Sequence, residues 1–429
     1  MKKRLLFFLA AILLAPFLHA QKKAPLHPAL MEAKPESADI STERLKRIDR
    51  VIQDYIDKKW IAGATAIITR RGKIVYYKGL GYDDMDSHTP MKRDAICRIA
   101  SQTKAITSTA VMILYEEGKF LLDDPVSQYI PEFKSSKVLD KFNEQDSSYT
   151  TVPAKREITI RDLLTHVSGI GYPVIGSKKM AAIYAKADIP SGIATGNRIL
   201  GTEMKRLAAL PLEHQPGEHW TYGLSIDVLG YLVEVVSGMS LDQFFRQRIF
   251  EPLGMEDSYF YLPASKYKRL AVLYTEDSLH HLMKFPMESG GYHPDYPNRS
   301  GTYYSGGAGL SSTVLDYAIF LQMILNGGDY NGKRILSRNT VRIMTMNQIG
   351  DLNLGADKFG LGFEVVSEKG SARIPNNEGS ISWGGYFSTT YWADPKEKLS
   401  GVIMTQIVPN SHAELGDKFK VLVYQAIND

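Results

Sequence analysis

Apolar and polar positions alternate along this chain with two different periods, which predicts a mixture of helices and strands. In residues 42–59 the apolar side chains recur three and four positions apart, the spacing of a helix that buries one face: Leu45, Ile48, Val51, Ile52 and Ile56. Residues 64–82 alternate in strand fashion on both sides of Arg71-Gly72, which predicts a β-hairpin. Helical spacing then dominates from residue 101 to about residue 258.

Strand patterns return near the end of the chain and predict a sheet built from both ends of the sequence. They occupy residues 387–393 and 399–407, joined through Asp394-Pro395, and an amphipathic helix follows at residues 415–427. The expected fold class is α/β (α+β), with an antiparallel sheet flanked by helices and a mostly helical inserted domain. We expect the sheet domain in residues 44–100 and 300–429, and the helical domain in residues 101–299 with an irregular loop region over 259–299.

The first 20 residues have the pattern of an export signal. Three basic residues precede an apolar stretch over residues 5–18, and Leu-His-Ala precedes Gln21, which predicts a signal peptide over 1–20 and a linker over 21–43. The alternative is an uncleaved membrane anchor, but this stretch is shorter than the roughly 20 residues that a spanning helix needs. We therefore expect a periplasmic or secreted protein with no membrane span after signal cleavage.

Charge and cysteine content narrow the class of protein further. The chain has 429 residues and a formal net charge of +4, and loss of the three positive charges of the signal leaves +1. A nearly neutral protein has no electrostatic reason to bind nucleic acid. The single cysteine, Cys97, excludes an intramolecular disulfide, and its apolar neighbours predict a small buried residue.

The clearest candidate for chemistry is the pair Ser101 and Lys104, at the start of an apolar run. Positions i and i+3 of a helix share one face, so the lysine would lie within reach of the serine oxygen. A serine at a helix start also lies near free backbone N–H groups and the positive end of the helix dipole, which stabilise developing negative charge. A second Ser-x-x-Lys match, Ser265 to Lys268, opens no helix. Only Ser101 has the setting that a nucleophile needs.

Around this pair the sequence resembles the β-lactamase-related serine hydrolases, which include class C β-lactamases, DD-peptidases and family VIII carboxylesterases. The stretch "WTYGLSIDVLG" is similar to the family's Tyr-x-Asn segment, with Tyr222 in the tyrosine position. Trp383-Gly384-Gly385 stands where the family's Lys/His-Thr/Gly-Gly triplet lies. Further matches occur in the family's order: "LLTHVSG", "QPGEHWTY", "IFEPLGM" and "GGAGLSST". The resemblance runs from about residue 45 to the C-terminus, and it implies a β-lactamase/transpeptidase-like fold.

The resemblance implies a role for each matching residue. Ser101 would attack the substrate carbonyl and become acylated, and Tyr222 with Lys104 would take its proton and return it to the leaving group. Which of the two is the base stays open. The backbone N–H groups of Ser101 and Tyr386 would form the oxyanion hole. The residues implied to contact the substrate are Trp383, Gly384, Gly385 and Leu224.

Two departures from the family pattern bear on the substrate. Leu224 replaces the Asn that contacts a side-chain amide in β-lactamases, and Trp383 replaces the Lys or His that helps to recognise a carboxylate. Loss of one amide and one cation favours an apolar substrate, as in the family VIII carboxylesterases. We therefore expect a carboxylesterase that acts on small or apolar esters. The alternatives are a β-lactamase, DD-peptidase or D-aminopeptidase acting on β-lactams or cell-wall peptides, and a non-catalytic binding protein on the same scaffold.

Other chemistry has little support in the sequence. The histidines lack metal-ligand spacing and no Gly-x-Ser-x-Gly elbow occurs, so we expect neither a metal nor a cofactor. Residues 327–334, "GGDYNGKR", come near a phosphate-binding loop, but Arg334 stands where Ser or Thr is needed, which predicts a turn. We expect His166 to fix a loop by hydrogen bonding, and the alternative is a role in the site. The irregular residues 259–305 are expected to shape the pocket with four tyrosines, Tyr292, Tyr296, Tyr303 and Tyr304.

Overall fold

Helices and strands are interspersed along the described chain, residues 27–287 and 293–429 of a computed structural model. The helices are α1 (Thr42–Asp57), α2 (Thr103–Glu116), α3 (Ile160–Leu164), α4 (Lys178–Lys186), α5 (Leu200–Ala208), α6 (Ser225–Ser237), α7 (Leu241–Phe245), α8 (Glu251–Leu253), α9 (Val314–Leu325), α10 (Arg338–Met344), α11 (Glu368–Ser371) and α12 (Leu415–Tyr424). The strands are β1 (Met31–Glu32), β2 (Gly63–Arg70), β3 (Lys73–Asp84), β4 (Thr89–Pro90), β5 (Cys97–Arg98), β6 (Lys137–Phe142), β7 (Tyr149–Pro153), β8 (Tyr274–Glu276), β9 (Leu282–Lys284), β10 (Ser311–Ser312), β11 (Asp329–Tyr330), β12 (Lys333–Arg334), β13 (Lys358–Phe359), β14 (Glu364–Val365), β15 (Ile381–Gly385), β16 (Thr389–Asp394) and β17 (Leu399–Met404). The predicted signal peptide lies outside the described residues.

A largely antiparallel sheet built from both ends of the described chain forms the centre of the structure. Within residues 27–287 and 293–429 it has nine strands, in the order β1-β3-β2-β17-β16-β15-β14-β13, with β4 paired to β3. Only β1 and β3 pair in parallel among these strands. This arrangement confirms the predicted α+β class, while the proposed division into two domains stays a prediction.

Strands β2 and β3 form the hairpin that the sequence predicts. At its turn, Arg71 and Gly72 have φ angles of 52° and 75°, and a two-residue type I′ turn requires positive φ at both positions. Every residue of β2 is buried, because β3 and β17 flank the strand and helices cover both faces. Ile68 belongs to the core on one face of the sheet and Ile67 to the core on the other.

Helices α1 and α12 pack side by side on one face of the sheet. The predicted stripe of α1 is largely buried there, with Leu45, Ile48 and Ile52 at 5% exposure or less. Phe419 and Val423 of α12 join the same core. Burial of each such side chain stabilises the fold by roughly 1.5–3 kcal/mol, so this face anchors the C-terminal helix firmly to the sheet.

The other face of the sheet carries α9 and a larger core that continues into the helical region. Helix α2 lies inside this core, and its residues 103–114 are all buried. Helix α6 packs directly against α2. The start of α2 and the loop before α6 therefore come together, and this is where the candidate site forms.

Three segments differ from the pattern-based expectation. Residues 137–153 form the hairpin β6–β7 inside the region of helical spacing, and its strands are mostly exposed, so no apolar period marks them. The irregular region contains a second hairpin, β8–β9. Residues within the predicted linker pack against the sheet, since β1 pairs with β3 and both Ala38 and Ile40 are buried.

Two local predictions match the structure. Residues 327–334 form a turn, in which Asn331 and Gly332 connect β11 to β12 with φ angles of 47° and 74°. Cys97 is a fully buried free thiol, and burial raises its pKa to about 12. Along the described parts of the chain, no helix combines the length and the apolar character needed to cross a membrane.

Candidate active site

Ser101 lies at the junction between β5 and α2, in the 3-10 turn Ala100–Gln102. Pairing of β5 with β10 fixes the backbone just before this turn. Ala100 has a φ of 41°, a left-handed conformation that strains a non-glycine residue and that clusters at functional sites. The turn buries Ala100 and Gln102 but leaves Ser101 partly exposed on the wall of a cleft.

Two proton-carrying side chains meet at the Ser101 oxygen. The Tyr222 hydroxyl donates to Ser101 Oγ at 2.7 Å, and Lys104 Nζ donates to the same oxygen at 3.3 Å. Lys104 comes from the first turn of α2, whereas Tyr222 comes from the loop before α6. A nucleophilic serine needs a partner within this distance to take up its proton, and the arrangement supplies two.

A backbone carbonyl and an aromatic ring hold the ammonium group of Lys104. Lys104 is 2% exposed, and its Nζ donates to the Gly307 carbonyl oxygen at 2.8 Å. The same nitrogen lies 4.6 Å from the ring centroid of Tyr222, a cation–π contact. A charged hydrogen bond of this kind offsets the cost of burying the ammonium group. The lysine is thereby fixed next to Ser101.

Asp227, in the first turn of α6, fixes the segment that holds Lys104. Its buried carboxylate accepts from the Ser305 hydroxyl at 2.6 Å and from the Gly307 N–H at 3.2 Å. Burial raises the pKa of Asp227, and these hydrogen bonds and the Lys104 charge oppose that shift. A Cβ on residue 307 would lie 2.2 Å from Asp227 Oδ2, so only glycine fits. Sequence reasoning missed Asp227, although an acidic residue inside an apolar helix was a usable indication.

The end of β15 lies directly against the turn that carries Ser101. A Cβ on Gly385 would lie 2.3 Å from the Ile99 carbonyl oxygen, so glycine permits this close approach. As far as the described residues show, the backbone N–H groups of Ser101 and Tyr386 donate to no backbone carbonyl. Two free N–H groups near a nucleophile are the elements of an oxyanion hole, which is the role predicted for them.

The cleft in front of Ser101 has a volume of about 440 Å³. Trp383, Gly384 and Gly385 line it, together with Ile175 and Tyr386. Their predicted contact with substrate stays a prediction. The three predicted residues do line the cleft that contains Ser101. Another part of the lining is polar and contains Glu364, Ser382, Asp417 and Lys420.

Aromatic side chains pack around Tyr222. The rings of Tyr172 and Trp220 lie nearly parallel to it, with centroids 5.7 and 6.1 Å away. The Trp383 indole Nε1 donates to the Tyr222 oxygen at 3.4 Å. Trp383 therefore contacts the candidate acid/base residue as well as lining the cleft, and the surrounding rings hold the phenol at Ser101.

Leu224 and His166 differ from their expected positions. Leu224 is fully buried in the core and is not part of the described cleft wall. It is the residue just before the first turn of α6, and its side chain points inward. His166 is fully buried with its ring 5.0 Å from that of Tyr222, and neither ring nitrogen has a hydrogen-bond partner among the described residues. The expected hydrogen bond that fixes a loop comes from the backbone and not from the ring, because the His166 carbonyl oxygen accepts from the Thr221 N–H at 2.8 Å. Burial, then the Lys104 charge, keeps the pKa of His166 well below its usual value.

The tyrosines of the irregular region do not form the described cleft wall. Tyr296 and Tyr303 are 6% and 3% exposed, and Tyr304 packs against Phe260. Tyr292 lies outside the described residues. In the ranges that the structure covers, no group of three or more His, Cys, Asp or Glu side chains could hold a metal ion.

The family model named Beta-lactamase matches residues 48–425, so this chain belongs to the β-lactamase family. Esterase EstB of Burkholderia gladioli is 29% identical, over 84% of this chain and 89% of its own. An Escherichia coli K12 protein provisionally named D-alanyl-D-alanine carboxypeptidase is 28% identical, over 95% of this chain and 92% of its own. The solved structure of EstCE1, described as a hydrolase with promiscuous acyltransferase activity, is similar with a TM-score of 0.76. The two sequences are 26% identical, and the match covers 89% of this chain and 99% of EstCE1.

These similarities confirm the predicted family and fold. The protein is a serine hydrolase with the β-lactamase fold. The site described above, with its serine, lysine and tyrosine, lies within the matched residues.

Proposed function

We propose that the protein is an exported carboxylesterase that forms an acyl-enzyme on Ser101 and acts on small or apolar esters. The observation that carries this proposal is the shared proton site, with Ser101 Oγ 2.7 Å from the Tyr222 oxygen and 3.3 Å from Lys104 Nζ. Ester cleavage through an acyl-enzyme needs a serine whose proton can leave in this way. Similarity to Esterase EstB supports the proposal.

In the first half-reaction, Ser101 Oγ attacks the ester carbonyl carbon while its proton passes to the deprotonated member of the Tyr222–Lys104 pair, either a phenolate or a neutral amine. The carbonyl oxygen becomes an anion, which the N–H groups of Ser101 and Tyr386 bind. The bond to the alcohol oxygen then breaks, and the pair returns the proton to the leaving alcohol. Water repeats the sequence in place of the alcohol, which releases the acid and restores Ser101.

Two side chains favour an ester over a β-lactam or a peptide. Trp383 places an indole ring in the cleft where a cation would recognise a carboxylate, and its Nε1 donates to Tyr222. Leu224 is buried, so this position offers no amide group to a substrate. The indole ring accommodates alkyl groups, and without an amide at position 224 the site lacks a hydrogen bond that would select amide substrates.

An assay of the purified protein on p-nitrophenyl butyrate and on a chromogenic cephalosporin tests the substrate class. We expect release of p-nitrophenol that Ser101→Ala abolishes, with a lower kcat/KM on the cephalosporin. A higher kcat/KM on the cephalosporin would favour a β-lactamase instead. Release of D-alanine from a cell-wall peptide would favour a peptidase, the alternative to which similarity with the Escherichia coli protein points. Unchanged ester turnover in Ser101→Ala would overturn the assignment of the nucleophile.

Export is proposed from the pattern of residues 1–20. Expression of the full chain in a Gram-negative host, followed by N-terminal sequencing of the periplasmic fraction, tests it. We expect a mature chain that begins at Gln21. A chain that stays in the cytoplasm with its first residues intact would contradict the proposal.

A further inference from the structure

A buried lysine in the active-site cleft has no hydrogen-bond or ion-pair partner within the described chain. Lys420 is 7% exposed and lines the same cleft as Ser101 and Tyr222. Across residues 27–287 and 293–429, no side-chain hydrogen bond and no ion pair within 4.0 Å reaches its ammonium group. The Nζ lies 5.7 Å from the ring centroid of Trp392. A lysine whose side chain is largely buried is costly to keep charged when no counter-charge contacts it.

The packing of α12 explains why this lysine reaches the cleft. Gly416 approaches β16 so closely that a Cβ would lie 2.6 Å from Thr390 Oγ1. Lys420 follows Gly416 by four positions, so both residues lie on the same face of the helix. Thr390 also lines the cleft. This face of α12 is therefore part of the cleft wall. The amphipathic pattern of the helix would instead predict that a lysine at this position faces solvent.

The neighbouring carboxylates act on Lys420 through space and not by contact. Glu364 accepts from Ser382 Oγ at 2.7 Å, and burial raises its pKa. Asp417 is exposed, so solvent and salt screen its charge. Burial lowers the pKa of Lys420, and the charges of Asp417 and Glu364 oppose that shift. An anion that enters the cleft would give this lysine a hydrogen-bond partner that residues 27–287 and 293–429 do not supply.

We propose that Lys420 is an anion-binding subsite of the cleft and that the substrate is an ester carrying a free carboxylate. This inference rests on the proposed esterase function and adds a substrate class to it. Strand β15 lines the cleft from Ser382 to Gly385. At the rise of a β-strand, this segment is about 10 Å long. The apolar body of the substrate lies along Trp383, and the carboxylate binds Lys420.

Pairs of esters that differ only in a terminal group test the wild-type preference. On the acyl side, mono-p-nitrophenyl suberate is compared with p-nitrophenyl octanoate, and the glutarate monoester with p-nitrophenyl pentanoate. On the alcohol side, 3-acetoxybenzoate is compared with 3-tolyl acetate. We expect a lower KM for the carboxylate in at least one pair, and the pair that shows it identifies which part of the substrate lies toward Lys420.

Lys420→Met removes the charge and keeps most of the side-chain volume. We expect it to raise KM for the preferred carboxylate ester about ten- to a hundredfold more than KM for its neutral partner, the range of a charge-assisted hydrogen bond. Lys420→Arg should keep the preference. Lys418→Met is the matched control, because Lys418 lies on the same helix outside the cleft and donates to Tyr55.

The inference is wrong if the wild type prefers no carboxylate ester, or if Lys420→Met changes both esters of a pair equally. In those cases hydrolysis of the neutral esters, abolished by Ser101→Ala, would still support the esterase function. Hydrolysis of no ester at all would overturn that function itself. Should Lys420→Met fail to fold, inhibition of p-nitrophenyl butyrate hydrolysis by free suberate but not by 1,8-octanediol decides the same question on the wild type.

Discussion

Removal of one oxygen atom from Tyr222 tests proton transfer at the site. In Tyr222→Phe, Ser101 Oγ loses its 2.7 Å hydrogen bond, while the ring keeps its contacts with Tyr172 and Trp220. Positioned acid/base groups contribute typically 10²- to 10⁴-fold, so we expect kcat to fall by about that factor, or roughly 3–5 kcal/mol. KM should change little, because the ring that forms part of the cleft wall is retained.

Steady-state hydrolysis of p-nitrophenyl butyrate near neutral pH measures this effect. Tyr184→Phe is the matched control, since the buried Tyr184 oxygen accepts from the Gly171 N–H at 3.2 Å and lies outside the proton site. The control should keep the wild-type kcat. If Tyr222→Phe also keeps it, Lys104 alone carries the serine proton from 3.3 Å, and the reasoning that assigns a chemical role to the phenol is refuted.

Three further changes test how the site is held. Lys104→Met removes the ammonium group from both Ser101 and Gly307, and kcat in the ester assay should fall by about 10²- to 10⁴-fold. Gly307→Ala puts a Cβ 2.2 Å from Asp227 Oδ2, so calorimetry should show a lower Tm and the ester assay a lower kcat. His166 has a pKa well below 6.5, so as the pH falls below 6.5 the unfolded chain binds a proton that the folded chain does not, and stability falls. Urea denaturation at about pH 5 and pH 7 measures how much unfolding free energy is lost on acidification. The loss should be smaller in His166→Asn than in the wild type, because asparagine does not titrate and tolerates the φ of 58° at this position. An equal loss in both proteins would contradict the low pKa of His166.

Features that depend on neighbouring residues could be predicted from the sequence. The stripe through Leu45, Ile48 and Ile52 indicates α1, because one helical face must be buried. Arg71-Gly72 indicates the turn of the first hairpin, because glycine accepts positive φ at no cost. Ser101 and Lys104 lie three positions apart, so the turn that leads into α2 is enough to bring the lysine to the serine.

Contacts between distant parts of the chain could not be predicted in this way. Lys104 and Gly307 are 203 positions apart, and nothing local indicates that one would hold the other. An acidic residue inside an apolar helix marks Asp227 in the sequence, but its partners Ser305 and Gly307 are identified only by the structure. Leu224 occupies the expected motif position, yet the local backbone turns its side chain into the core. Position within a motif predicts where the backbone runs and does not predict which way a side chain faces.

The position of Lys420 in the cleft could not be predicted from the sequence either. Its place beside Phe419 in an amphipathic helix indicates a solvent-facing residue, and only the packing of α12 against β16 makes it part of the cleft. The hairpin β6–β7 is similar, because strands that are largely exposed leave no apolar period to detect. The sequence pattern does not predict burial that arises from tertiary packing.

Covalent labelling with a p-nitrophenyl alkylphosphonate tests the central claim most directly. Attack of Ser101 Oγ on phosphorus expels p-nitrophenolate and leaves a stable phosphonyl ester on the serine. The account predicts a single adduct, mapped by mass spectrometry to the tryptic peptide of residues 99–104 and absent from Ser101→Ala. An adduct on Ser265, or loss of esterase activity on labelling with Ser101 unmodified, would contradict it.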